Sequence, residues 1–373
     1  MYDIAIIGAG INGCSVAYEF LQEKKDVILF DKAGIASGGS GAAGAFISPK
    51  FSKAGDLKSV IEDAFIYSMH YYEKNFRDTF TKAQLLHIAK DEKEDAILRY
   101  FKENTGLELC HVDEKMLASL TPSAQERENI SLEAGIVDAQ KVCEVMIDGA
   151  EFVQQEIKTL VWEDDYWIID ESYTAKELVL ATGAYKKVLD EPYIALRGVW
   201  GHRIDLRTKR QNTLSIHQFV SISPSKNGIL AVGATHNVHY HPQINKEAYN
   251  LQEGREELLK KASLTLALEE TEIIKDYTGL RSGSFDYLPL VGPLVLSDET
   301  LQCCQKKLRV KKPNYDDFIY YPHLTMINGS GGYGFVLAPY LAHSLKEYIL
   351  KEKSLDKRLL PARFFARWAK KTK

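Results

Sequence analysis

The feature that most restricts how this chain can fold is a glycine run set between two short apolar segments at its start. Tyr2-Asp3-Ile4-Ala5-Ile6-Ile7 has the composition of a strand, and Gly8-Ala9-Gly10-Ile11-Asn12-Gly13 follows without a gap. Cys14 to Lys24 then has helical periodicity, and Val27-Ile28-Leu29-Phe30 is a second strand closing on Asp31. This spacing predicts a βαβ unit with G-x-G-x-x-G at its first strand-to-helix turn. Gly8 permits the tight turn, Gly10 lets backbone N–H groups approach a pyrophosphate, and Gly13 lets the helix pack close to the strand, with Ile11 and Asn12 in the same turn. Asp31 stands 23 residues after Gly8, near the roughly 20 expected of a carboxylate that holds a ribose hydroxyl, and Lys32 adjoins it. The chain is expected to hold a dinucleotide.

At 373 residues the chain exceeds one ordinary core, so two domains or one elaborated domain are expected. No apolar run approaches the roughly 18 residues of a membrane span. No basic segment precedes the first apolar run, so a secretory leader is not expected. Five scattered cysteines (Cys14, Cys110, Cys143, Cys303, Cys304) without C-x-x-C spacing fit a reducing cytoplasm, with Cys14 and Cys143 in the core.

Net charge is −4 but uneven: from Lys346 onward ten Lys/Arg face three acids, which leaves −11 for the remainder. Lys357, Arg358, Arg363, Arg367, Lys370, Lys371 and Lys373 are interleaved with Phe364, Phe365 and Trp368, a pattern suited to a phosphate-backbone partner. A solvated tail explains the charge equally well. A second basic run spans Lys306 to Lys312.

Further along, Ala36 to Ala45 is too rich in small residues for a helix, so something large is expected against its backbone, with Ser37, Gly38 and Gly44 among the contacts. Helices are expected over Asp56–Phe76, Glu92–Asn104, Ala139–Ala150, Glu247–Leu268 and Phe335–Leu350, with strands between them. Two more glycine sites follow a strand: Ala181-Thr182-Gly183, and Gly329-Ser330-Gly331-Gly332-Tyr333-Gly334 before a helix. A nicotinamide dinucleotide needs only the first fingerprint. A flavin needs support for its ring as well, and a glycine loop at a helix N-terminus supplies N–H groups and a positive dipole end there. The expected cofactor is FAD.

The chain also resembles the D-amino-acid-oxidase-like (DAO) family of FAD-dependent oxidoreductases. The marks are Gly8/Gly10/Gly13 with Asp31, the small-residue run, Ala181-Thr182-Gly183, and Arg281-Ser282-Gly283-Ser284-Phe285-Asp286-Tyr287-Leu288-Pro289-Leu290-Val291-Gly292, an R-x4-D-x2-P-x2-G pattern. The resemblance implies an α/β fold with an α+β second domain. A Rossmann-like FAD-binding domain is built from discontinuous segments (1–80, 137–205 and 314–373), beside a mixed β-sheet substrate domain (81–136 and 206–313). It also implies that Arg281 clamps a substrate carboxylate, which suits a planar guanidinium. A structural ion pair, with Asp286 for instance, is the other reading of that arginine. Tyr333 is a candidate to line the substrate site, although ordinary packing explains it too.

In Ser48-Pro49-Lys50-Phe51-Ser52-Lys53, Leu288-Pro289-Leu290-Val291-Gly292-Pro293 and Leu360-Pro361-Ala362-Arg363 the chain also resembles the oxidoreductase half of bifunctional tRNA wobble-uridine enzymes of MnmC type. That resemblance implies oxidation of carboxymethylaminomethyl-uridine in tRNA by hydride transfer to flavin N5 and imine hydrolysis. The products are aminomethyl-uridine and glyoxylate. It departs in its glycine loop, which carries no arginine, and in its acidic net charge. A methyltransferase, if one takes part, is expected on a separate polypeptide. The alternatives are an oxidase or dehydrogenase of a small free amino acid (glycine, sarcosine or a D-amino acid) and a non-catalytic flavin-bearing RNA-binding module. His236-x-x-His239-x-His241 has ligand-like spacing but nothing near it to complete a metal site, so a surface loop is expected and no metal.

Overall fold

A computed structural model describes residues 1–185, 188–304 and 313–371, with the backbone alone for 305–308. The basic run Lys306–Lys312 therefore lies outside the described side chains. The chain divides into two compact units: Met1–Gly38, Cys143–Gly198 and Arg281–Lys373 form the first, Gly39–Val142 and Val199–Leu280 the second.

In the first unit, six strands lie in the order Leu290–Val295, Tyr320–Asn328, Tyr173–Leu180, Tyr2–Ile7, Val27–Asp31, Glu151–Gln154. The last five are parallel; Leu290–Val295 is antiparallel at the edge, where Pro293 is tolerated because the strand needs one ladder of bonds only. A hairpin of Leu160–Glu163 and Tyr166–Ile169 adds to Tyr173–Leu180. Val27 to Phe30 are all buried, as expected of a strand covered on both faces. Register pairs Ile7 with Phe30 on one side and Leu180 on the other, so the carboxyl ends of three strands finish level. Open parallel sheets bind ligands at that end.

The C-terminal residues are part of this core. Ala362–Ala369 is a helix whose Phe364, Phe365, Ala366 and Ala369 are buried, and the Phe365 ring meets Tyr193 and Phe318 edge-on at 5.5 and 5.0 Å. Of the tail aromatics expected to face a partner, Phe364 and Phe365 are instead interior side chains, and Trp368 packs half-buried against the same core. Burying two phenylalanines returns about 1.5–3 kcal/mol each, which holds so short a helix in place.

The second unit is built on an eight-stranded mixed sheet and the helices Asp56–Asn75, Glu92–Asn104 and Leu251–Ser263. Leu86, Ile204, Ile216, Leu230 and Leu258 lie in its apolar core. His87 and His217 are register partners on parallel strands. Phe51 stacks on the His87 ring at 4.2 Å, and Phe46 meets the His217 ring edge-on at 4.9 Å. Burial, then the His217 ring and Lys90, pulls His87 down to about 3; burial pulls His217 down to about 4. Unfolded, both titrate near 6.5, so the unfolded chain takes up more protons below that pH. Their stabilisation is complete above about 6.5 and is lost as pH falls toward about 4. The urea midpoint should fall across that window, and a His87→Phe/His217→Phe variant should flatten the fall.

Candidate functional site

All three glycine segments lie in the first unit, at the ends of strands of its sheet. Gly8 ends Tyr2–Ile7 with φ of +111°, and a Cβ there would stand 2.3 Å from the Ala181 carbonyl oxygen. At Gly13 a Cβ would fall 1.9 Å from the Gly8 oxygen, so the helix sits directly on the turn. Gly10 is the N-cap of Ile11–Gln22 and supplies no side-chain cap; the first turn holds no acid. Helix Gly334–Lys351 begins the same way on Tyr333. Neither N-cap residue caps its helix through a side chain, and each helix turns a positive dipole end outward there.

Asp31 is pinned by backbone donors. One oxygen accepts from Ala9 N at 2.9 Å, the other from Ala33 and Gly34 N at 2.9 and 3.2 Å and from Ser37 Oγ at 3.4 Å. Lys32 lies over the Tyr185 ring at 4.8 Å, and a Cβ on Gly38 would touch that same ring at 3.3 Å. Gly44 belongs to the second unit, where its Cβ would strike the Phe46 ring at 2.6 Å.

One residue the sequence reading did not single out ties the segments together. Asn328 donates from Nδ2 to the Gly183 carbonyl at 3.0 Å; its Oδ1 accepts from Ser282 Oγ and Gly329 N, both at 2.8 Å. Gly283 bridges to Ser330, and Ser330 Oγ reaches Asn12 Oδ1 at 3.2 Å. The Arg281 strand, the Ala181-Thr182-Gly183 turn, the glycine loop and the fingerprint helix are one hydrogen-bonded chain. Only the adjacency of Asn328 to the glycine run hinted at it in the sequence, since its partners lie 145 and 46 residues away.

Arg281 is half-buried, and burial draws its guanidinium below its ordinary value while leaving it charged at neutral pH. Burial raises the Tyr333 phenol to about 12, so it keeps its proton and can donate. Asp286 is occupied by the tail: its oxygens accept from Arg363 Nε at 2.9 Å and Nη2 at 3.0 Å, with Arg367 at 3.5 Å. Gly292, the last residue of the same motif, has φ of +124° and lies against Leu360 and Leu355, where a Cβ would come within 2.9 Å of both. The motif's Asp and Gly therefore dock the C-terminal segment.

Burial alone would raise the Asp286 carboxyl, but Arg363, Ser284 and Arg367 outweigh it and hold the group below its ordinary 3.8. The pair's stabilisation is complete above that value and is lost as pH falls below it. Asp286→Asn leaves Arg363 buried without its counter-charge, at an expected cost of about 3–5 kcal/mol. A denaturant midpoint at neutral pH reads this, and the variant should lose less than the wild type on acidification.

Two uncapped helix N-termini, an acid at the second strand's end and an open glycine loop fit a flavin dinucleotide. The loop leaves room there, since a Cβ on Gly331 or Gly332 would meet nothing within 4 Å. The family described as FAD dependent oxidoreductase (DAO) matches residues 3–348, and this chain belongs to it. Among its relatives is the tRNA 5-methylaminomethyl-2-thiouridine biosynthesis bifunctional protein MnmC of Legionella pneumophila, 24% identical over 96% of this chain and 56% of that one. The protein of the same name from Leptospira interrogans is 26% identical over 99% of this chain and 61% of its own length. The chain thus spans about six-tenths or less of these curated relatives. In structure it is similar to glycine oxidase from Bacillus cereus (TM-score 0.73, 22% identity, 95% and 96% coverage) and to L-proline dehydrogenase from P. horikoshii (0.72, 16%, 97% and 97%), which supports the fold. Among the described residues no group of three or more His, Cys, Asp or Glu could hold a metal, and no helix is long and apolar enough to cross a membrane.

Proposed function

We propose that this FAD-dependent oxidoreductase acts on the CH–NH bond of an N-substituted glycine, and that its substrate is carboxymethylaminomethyl-uridine at the wobble position of tRNA. The observation that carries this reading is Arg281: a half-buried cation on the strand that Ser282 and Gly283 bond to Asn328 and the glycine loop. Its fork is suited to grip the carboxylate in two parallel hydrogen bonds, fixing the glycine α-carbon by orientation rather than by proton transfer. The fingerprint and the glycine loop would hold FAD, which would supply a two-electron oxidant for that carbon.

The rest is done by the chain and by water. Asp31 holds the fingerprint turn by its bond to Ala9, Gly8 and Gly13 keep turn and helix tight against the strand so that the backbone at Gly10 would meet the cofactor's phosphates, and Tyr333 stands protonated at the N-cap of the loop helix. Hydride loss from the neutral amine leaves a C=NH⁺ iminium, and water adds to its carbon to release glyoxylate and the protonated aminomethyl amine. One C–H bond of the substrate is lost, and its two electrons leave with the hydride. The similarity to MnmC proteins favours tRNA; the similarity to glycine oxidase favours a free amino acid as second reading. Mass spectrometry of nucleosides from tRNA incubated with the holoprotein separates them. Conversion of carboxymethylaminomethyl-uridine to aminomethyl-uridine with stoichiometric glyoxylate supports the first. Unchanged nucleoside, with glyoxylate formed from glycine or sarcosine, supports the second.

A further inference from the structure

The turn joining Glu272–Ser284 to Leu290–Val295 lies in the first unit and holds two aromatic side chains out in solvent. Phe285 is 62% and Tyr287 60% exposed, and no other Phe, Tyr or Trp among the described residues is exposed. This is no frayed loop. Between the two rings Asp286 points inward, accepting from Ser284 Oγ at 3.1 Å, Leu288 N at 3.3 Å and the Arg363 fork. Tyr287 itself adopts φ of +66°, a conformation that costs a non-glycine residue stability and persists only where its surroundings impose it. The Arg197 guanidinium lies 4.4 Å from the Tyr287 ring centre and covers one of its faces, while Arg197 Nε is buried with no hydrogen-bond partner. The turn is a fixed mount for two flat apolar surfaces.

Cations continue from it. Arg367 touches Asp286 at 3.5 Å yet its side chain is 62% exposed, and Lys370 and Lys371 are exposed one helical turn beyond. We infer that this turn and the outer face of the C-terminal helix form one contact surface for an unpaired RNA segment. Phe285 and Tyr287 stack on bases, and Arg367, Lys370 and Lys371 take phosphates. Rings set beside cations match the alternation of base and phosphate in a single strand, whereas a duplex hides its base faces. An apolar protein partner would leave the cations unmatched, and an acidic one the rings. The inference rests on tRNA being the substrate and adds which face meets its unpaired nucleotides.

The test is binding of a fluorescein-labelled anticodon stem-loop RNA to the full-length holoprotein across a salt series. Phe285→Ala/Tyr287→Ala should weaken binding about ten- to a hundredfold with an unchanged salt slope, because stacking involves no counterion release. Phe285→Trp/Tyr287→Trp should restore it. Arg367→Gln/Lys370→Gln/Lys371→Gln should instead flatten the log–log slope by about 2. Flavin content and melting temperature report folding. If the alanine pair loses flavin, Phe285→Leu/Tyr287→Leu keeps the bulk without the rings and takes its place. Equal binding by wild type and ring-less variant overturns the surface and leaves the tRNA reading standing. Preference for a blunt RNA duplex over the stem-loop also overturns it. No binding by wild type even at low salt overturns both.

Discussion

Arg281→Met is expected to lower kcat/KM for sarcosine or any N-substituted glycine about 10²- to 10³-fold while the protein keeps its flavin. A charge-assisted pair lost from a desolvated site costs a few kcal/mol, and each 1.4 kcal/mol is a factor of ten. Methionine fills nearly the same volume without the charge, so packing changes little. The informative control is an amine without a carboxylate, which should react at the same rate with both proteins because it never uses the clamp. Equal losses for both amines would make Arg281 a structural residue. Asp286, the partner named for that alternative, is held by Arg363.

Gly8→Ala is expected to yield protein without bound flavin and with a lower melting temperature. Two costs add. The residue has φ of +111°, where a side chain is strained, and its Cβ would stand 2.3 Å from the Ala181 oxygen and 2.7 Å from its carbonyl carbon. Backbone, unlike a flexible side chain, cannot swing aside, so the paired strands Tyr2–Ile7 and Tyr173–Leu180 must separate at their ends. Together these amount to about 3 kcal/mol or more. The same shift breaks the alignment of Gly8 with Ala181-Thr182-Gly183, so flavin loss should exceed what the stability change alone explains. Absorbance of the purified protein in the visible flavin band, set beside its melting curve, checks this.

The opening strand–glycine–helix–strand unit was legible because its signal is local. Strand, glycines, helix and acid fall within Tyr2 to Asp31, and each constraint acts on near neighbours. The helices Asp56–Asn75 and Glu92–Asn104 were likewise readable, being long enough for periodicity to show. The helix Ala362–Ala369 was not: eight residues give two turns, and its basic side chains masked the Phe364–Phe365 contact with the core. What the R-x4-D-x2-P-x2-G pattern does beyond its arginine was equally hidden. Asp286 finds Arg363 77 residues on, and Gly292 makes room for Leu355 and Leu360. Spacing within a motif says nothing about such distant partners. For the same reason deletion of Lys357 to Lys373, an obvious probe of a basic tail, would remove core side chains with the charges; substitutions at Arg367, Lys370 and Lys371 leave the core intact.

The most direct test of the central claim is anaerobic mixing of the flavin-loaded protein with tRNA bearing carboxymethylaminomethyl-uridine, beside glycine, sarcosine and D-amino acids, followed in the visible flavin band. The account predicts bleaching with the modified tRNA, none with tRNA lacking the carboxymethyl group, and slow or no bleaching with the free amino acids. Bleaching by a free amino acid alone would contradict the tRNA assignment while sparing the flavin site and Arg281; no bleaching by any amine would contradict the enzyme.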